Sequence, residues 1–541
     1  MHKSGAQLVR YALEKLSIQH TFGVLGNQNR EIYNELKNSS QIQAHLVNQE
    51  LSAAFMADAI SRTSTTDAIG TMLITADAIV SQGVTDAFVS GVPLLIIAGS
   101  GARERDGINS QPLMQPVTKA CLKISHYKDL VTSLFEAHQI ATSNKPGPVY
   151  VEIPVDVQIH IEDIDDPLPV HLSAANQSAP DQEQIDGTAQ LLLKAEQPAL
   201  FIGWGATHQQ AKLIDLSEFL SAPVCTSLQG NGAFPAKHPL HTGLSTSPVT
   251  TKAFRDCDCL VAIGTNTTDL DYLDAPDQIV HLQPDAIPAL LYKLRELKPD
   301  ANDKGSAKGL AKTIARAKLE QREDWLEHNS KGRVNPEVFF SALSKATSSK
   351  AIVVTDQGAH RALTAELLPI NNPKGFVSPA TLNAMGYCVP AVNAIKLASP
   401  DTEVVGIVGD GAMIINGMEA LTAVREKLGA VYCLFNNSER TKEKNLGHIN
   451  WGAFADALEC GYFPITSNKG IDTIVRRALE TADQGQPVIL DIYIDYSRKS
   501  HYAQRREKAE LASLPSRDKL SIVKRAIVRK IMGSIKQKDS V

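Results

Sequence analysis

Two apolar runs, 404–408 and 430–435, each stop just short of a side chain able to hold a metal ion. These are Asp410 within Gly409-Asp410-Gly411, and Asn437 within Asn436-Asn437. Short continuous apolar runs bounded by turn residues fit strands buried on both faces, as in parallel sheets. A helix-like segment, 417–428, lies between them. In an open α/β sheet, ligands collect at the carboxyl ends of strands, and the backbone amides opening the next helix favour an anion. Magnesium takes near-octahedral oxygen ligands, with one or two protein side chains beside phosphate oxygens and water. An aspartate and an asparagine amide oxygen meet that demand, so the pair reads as a diphosphate-and-magnesium site.

Alternation of strand and helix patterns extends over most of the 541 residues. A first block, from Ala6 to about Pro154, alternates helix-like stretches such as 6–16 with apolar runs at 21–25, 72–75, 94–98 and 149–153. Residues 155–184 turn polar and proline-containing and read as a linker. A second block opens near Ile185, carries strands at 199–203 and 259–264, and fades into a charged helical stretch at 303–328. The third runs from Asn335 to about Asp495. The expected fold is α/β, with three consecutive doubly wound parallel-sheet domains at 1–160, 185–325 and 335–497, followed by a basic tail at 498–541.

Composition narrows the function classes. The net charge of −5 hides a tail with 13 Lys or Arg against 4 Asp or Glu, so the tail is +9 and the body −14. Nucleic acid is not the partner such an acidic body implies. Seven cysteines, an odd number, form no disulfide framework and read as small core residues. Cys257-Asp258-Cys259 lacks a partner pair at zinc-ligand spacing. Residues 1–7 are short and polar, and no apolar run approaches the ~18 residues of a membrane span, so a cytoplasmic protein is expected. In the tail, Leu520, Val523, Ile527, Ile531 and Ile535 recur at helical spacing among Lys519, Lys524, Arg525, Arg529, Lys530, Lys536 and Lys538. This reads as an amphipathic basic helix, docking either on the protein's own acidic body or peripherally on a membrane surface.

Gly-Asp-Gly followed by Asn-Asn, with Asn437 placed 27 positions after Asp410, resembles the cofactor motif of the thiamine diphosphate (ThDP)-dependent decarboxylase and acetolactate synthase superfamily. The three-block order resembles that superfamily over nearly the whole chain, as do 147–154 at the end of the first block and Ala384-Met385-Gly386-Tyr387 upstream of the motif. Pro116-Val117-Thr118-Lys119 and 228–239 are most similar to the acetolactate synthase branch.

The resemblance implies site residues. Glu50, before Leu51-Ser52-Ala53-Ala54-Phe55-Met56-Ala57, matches the catalytic glutamate that shares a proton with the aminopyrimidine; alone it would read as a helix-start residue. Ala53, Ala54 and Ala57 share one helical face suited to a domain or subunit interface. Met385 matches the residue that bends the cofactor, where a bare methionine would read as core. Gly26, Gly358, His360, Gly409, Gly411 and Ala412 fall at cofactor-binding positions, and Asp410, Asn437 and the backbone carbonyl of Glu439 at metal-binding ones. Asn27, Lys119, Arg440 and Lys442 are candidates for the substrate.

Some positions depart from the family pattern. The usual Gly-Pro-Gly loop is replaced by Ala76-Asp77-Ala78, and Asn109-Ser110-Gln111-Pro112 stands where the acetolactate branch has a Phe-Gln pair. The His pair of pyruvate decarboxylases is absent. Gly203-Trp204-Gly205 follows a strand and weakly suggests a nucleotide, but 264–269 lacks the Arg-rich pattern of flavin-dependent relatives, so FAD is not expected in the central domain. The implied activity depends on ThDP and Mg2+: decarboxylation of a 2-oxo acid and ligation of the product to a second carbonyl. The resemblance also implies a homodimer or homotetramer with sites between subunits. Three alternatives stand beside it: a decarboxylase that releases an aldehyde, a non-catalytic regulatory or scaffold protein of the same fold, and a nicotinamide-dependent dehydrogenase built on Gly203-Trp204-Gly205.

Overall fold

Parallel pairing organises the chain into three sheets. The computed structural model describes residues 2–64, 68–78, 80–101, 110–163, 168, 181–298, 304–379, 382, 384–437 and 449–514. The first sheet has six parallel strands in the order Gln43–Leu46, His20–Gly23, Gly70–Thr75, Leu94–Ser100, Pro148–Pro154, Ala120–Lys123. The central sheet has five, in the order His241–Leu244, Val224–Thr226, Pro198–Ile202, Cys259–Ile263, Ile279–Leu282. The third has six again: Phe376–Val377, Ile352–Thr355, Val404–Gly409, Val431–Phe435, Val488–Ile492, Gly461–Ile465.

Apolar residues line both faces of each sheet, which is why the strands read as continuous apolar runs. In the third sheet, Val354, Val408, Tyr432 and Leu434 join one core, and Val353, Ile407, Cys433 and Phe435 the other. The first of these cores is shared. It continues through the helix Glu50–Thr63 and the helix Cys388–Ala398 into the first sheet, at Phe22, Met72 and Ile96. Ala53, Ala54 and Ala57 are fully buried in this shared core, so the small-residue face lies at a junction between domains. Polar groups stitch the same junction. Tyr387 donates to Asp58 at 2.6 Å, and the buried Arg62 pairs with Asp58 at 2.5 Å and with Asp86 at 3.7 Å.

Three details differ from the sequence reading. The helix expected over 417–428 starts earlier: Asp410–Asn416 is helical, Gly417–Glu419 is a 3-10 turn, and Ala420–Arg425 is a second helix. An acidic first residue suits the positive end of a helix, which explains the start at Asp410. The opening of the expected linker is structured, with a helix Val155–Ile159 and a strand Ile161–Asp163 that pairs antiparallel with His2–Ser4. Gly203 and Gly205 have a packing use, since a Cβ on Gly203 would lie 2.2 Å from the Gly264 carbonyl oxygen and Gly205 donates to that oxygen at 3.0 Å. Close approach of two loops therefore accounts for the Gly-x-Gly turn. All seven cysteines are free, five of them buried. The expected amphipathic helix at 519–538 lies outside the described residues, and the described part of the tail ends with the helix His501–Ser513.

Candidate active site

Three adjacent strands of the third sheet end side by side, and each is followed by a polar side chain: Asp356 after Ile352–Thr355, Asp410 after Val404–Gly409, and Asn436-Asn437 after Val431–Phe435. Asp410, half-buried at the start of its helix, accepts from the Gly411 N–H at 2.8 Å and from the Asn437 N–H at 3.3 Å. The metal pair read from the sequence is thus brought together. Asn436 turns the other way and donates to Asp491 at 3.0 Å.

Around Asp410 the backbone is bare. A Cβ on Gly409 would lie 2.8 Å from the His360 ring, and one on Gly411 would lie 3.2 Å from the Met385 methyl. Gly358 has φ +154, a conformation few side chains tolerate, and it too abuts the His360 ring. His360 is buried, and its Nε2 has no hydrogen-bond partner among the described residues. Burial, aided by the charge of Arg361, pushes its ring down to about 3, so it is neutral at ordinary pH. A glycine-lined recess beside a carboxylate, with one buried ring nitrogen unpaired, fits a diphosphate group carried with a cation. Ala412 is buried in the first turn of the Asp410 helix.

Asp356 is the residue that sequence reasoning passed over. One of its oxygens accepts from Gln357 at 2.8 Å and Gly386 at 3.0 Å, the other from Cys388 at 2.8 Å, so it pins the Met385-Gly386 turn to the sheet. Gly386 has φ +91, as this turn requires. Burial raises the Asp356 carboxyl to about 6 in spite of these bonds. Its signal was the same as that of Asp410, an acid just after an apolar run.

Glu50 is the first residue of the helix Glu50–Thr63 and is half-buried. Its neighbours reach across the domain junction. Gln49 and Ser52 both donate to the Asn416 side-chain oxygen Oδ1, Ser52 at 3.0 Å, and the Asn416 side-chain amide Nδ2 donates to the Gly386 carbonyl at 2.9 Å. Within one chain the shared core packs the Glu50 helix of the first domain against the helix Cys388–Ala398 of the third. Gly26 sits on the next strand end, where a Cβ would meet the Thr75 methyl at 2.5 Å. Asn27 is exposed and accepts from Arg30 at 2.7 Å.

Lys119 is half-buried, and its ammonium caps the end of the helix Leu130–Thr142, donating to the carbonyls of Ile140 and of Ser143, the latter at 2.6 Å. Carbonyls at a helix end attract a cation. Glu439, Arg440 and Lys442 lie outside the described residues.

Comparison with known families bears on the same residues. The description "Thiamine pyrophosphate enzyme, N-terminal TPP binding domain" matches 3–120, "central domain" matches 185–291, and "C-terminal TPP binding domain" matches 356–492. The last span begins on Asp356 and contains Asp410 and Asn437. The chain belongs to the thiamine diphosphate-dependent enzymes. Within that superfamily it resembles the acetolactate synthase branch. It is 27% identical over 550 residues to a probable acetolactate synthase large subunit of Methanocaldococcus jannaschii, covering 91% of this chain and 92% of that one. The acetolactate synthase large subunit of Corynebacterium glutamicum is 27% identical over 548 residues, with 91% and 87% covered. The large subunit of acetolactate synthase isozyme 1 of Escherichia coli is 27% identical over 479 residues, with 80% and 82% covered. No helix among the described residues is long and apolar enough to cross a membrane.

Proposed function

We propose that this ThDP-dependent enzyme decarboxylates a 2-oxo acid and ligates the product to a second carbonyl compound, in the manner of an acetolactate synthase. The observation that carries the reading is the joining of Asp410 to Asn437 in a glycine-lined recess beside the unpaired Nε2 of His360. Asp410 and Asn437 would hold Mg2+, with the Glu439 carbonyl as a third protein ligand, and His360 and the amides of 410–412 would face the diphosphate. When bound, ThDP supplies the carbon nucleophile and the electron sink. The chain's own work is positional. Glu50 holds a proton at the pyrimidine ring, Met385 fills the space beside Gly411, and the apolar domain junction excludes water. Asn27 and Arg440 or Lys442 would meet the substrate. The proposed units are 1–160, 185–325 and 335–497. Exposed Ile414, Ile415 and Met418 beside the site support a homodimer or homotetramer that covers them.

The first experiment is proton–deuterium exchange at C2 of ThDP, with Mg2+, on wild type and Glu50→Gln, read by NMR after acid quench. Exchange much faster than in free cofactor, and lost in the variant, supports the reading; exchange at the free rate with cofactor bound overturns it. Products from pyruvate then separate ligation from simple release of an aldehyde.

A further inference from the structure

Between the central and third domains lies a cavity of about 470 Å3, bounded by the strand His241–Leu244 and the helices Lys304–Glu327, Pro336–Ala346 and Ala359–Leu367. The last of these helices carries His360 in its first turn and reaches the cavity only with its final residues, Ala365, Glu366 and Leu367. The cavity is therefore distinct from the site around Asp410.

Two of its lining side chains lack the partners their chemistry calls for. His241 is 4% exposed; neither ring nitrogen makes a well-aligned hydrogen bond among the described residues, and the ring approaches the same Ala236 backbone carbonyl that Lys318 uses. Burial, with the charge of Lys318 second, pushes the ring down to about 3, so it lines the cavity neutral, with one N–H to donate. Lys318, half-buried, donates only to the Ala236 carbonyl at 3.1 Å, and no carboxylate among the described residues pairs with it. The carboxylates nearby are already engaged. Glu337 pairs with Arg322 at 2.8 Å, and Glu366 accepts from the Trp325 indole at 3.1 Å and from the His501 ring at 2.7 Å. A partly desolvated ammonium without an anion is costly, as is a buried imidazole whose carbonyl acceptor is shared with a lysine, and one group serves both. That group must be anionic and must accept hydrogen bonds, and an oxyanion is the simplest that does both. Exposed Lys345, at the rim, adds positive charge along the approach.

We propose that this cavity binds a small oxyanion, a carboxylate or a phosphate, between the Lys318 ammonium and the His241 ring. The site is independent of the reaction proposed above.

The test uses the full-length protein at constant ionic strength with two probes: inorganic phosphate, followed by 31P relaxation, and acetate, followed by saturation transfer to its methyl group. Both titrations are repeated with saturating ThDP and Mg2+, which fill the diphosphate recess. The expected result is saturable binding of at least one probe that survives this filling, weakens about tenfold or more in Lys318→Met and is retained in Lys318→Arg. Whichever probe saturates identifies the class of anion. Should Lys318→Met lose its native near-UV circular dichroism, His241→Leu takes its place with the same expectation. Failure of both probes to saturate, or undiminished binding in a natively folded variant, would overturn the proposal.

Discussion

The carboxylate of Asp410 accepts the backbone N–H of Asn437 at 3.3 Å, across the gap between two neighbouring strand ends. The two residues proposed to hold Mg2+ are thus joined by the protein itself. Replacing Asp410 with Asn removes the charge and one acceptor. ThDP affinity in the presence of Mg2+ is expected to fall about 100-fold, roughly 3 kcal/mol, by isothermal titration calorimetry. Unchanged affinity would remove Asp410 from the metal set.

His360 offers a sharper separation of binding from folding. Its Nε2 has no partner to lose in the folded protein, and the ring's other bond is to the Asp356 backbone, so His360→Leu, which keeps much of the volume, is expected to cost only about 1–3 kcal/mol in urea denaturation. The same change should weaken ThDP about tenfold, the worth of one hydrogen bond to a charged group. A variant that binds ThDP normally would show that the nitrogen faces no phosphate.

Asp356 makes stability depend on pH in an unusual direction. Its carboxyl is raised from 3.8 to about 6, so the folded state holds the proton more tightly than the unfolded state does. The stabilisation from this group is complete below about pH 4 and is lost as pH rises through about 6, a change on the order of 3 kcal/mol. Asp356→Asn cannot titrate, and urea unfolding from pH 4 to 7 should show this slope in wild type and not in the variant. The variant should also be less stable at pH 4 by about 1–3 kcal/mol, because an amide N–H2 would face the Cys388 N–H.

Tyr387 tests the docking of the domains. Its hydroxyl donates to Asp58 at 2.6 Å inside the shared core, while Arg62 keeps Asp58 paired from the other side. Tyr387→Phe should therefore cost about 1.5–3 kcal/mol in urea denaturation without leaving a bare charge, and Asp58→Ala should cost more, about 3–5 kcal/mol, because it leaves the buried Arg62 only its longer pairing with Asp86 at 3.7 Å. Equal losses for the two would mean that Asp86 alone suffices for Arg62.

The strands of the third sheet were legible because burial on both faces writes apolar runs into the chain, and Asp410 and Asn437 stand where those runs stop. The small face of Ala53, Ala54 and Ala57 was legible for a similar reason, since tight helix contacts leave room for little else. What could not be read was partnership at a distance. Lys119 carries no local sign that its ammonium would cap the helix Leu130–Thr142, and nothing near Asn416 points to Gln49, Ser52 or Gly386. Asp356 is a different case, because its local signal was present; three backbone donors fix its purpose, and only the fold brings them together.

Asn416 has an evolutionary consequence. It accepts from two residues of the first domain and donates to a turn of the third, so its amide is read by two distant parts of the chain at once. Drift at position 49 or 52 is filtered by its fit to position 416, and drift at 416 is filtered twice. Among relatives that share about a quarter of their residues, these positions should therefore change together or not at all.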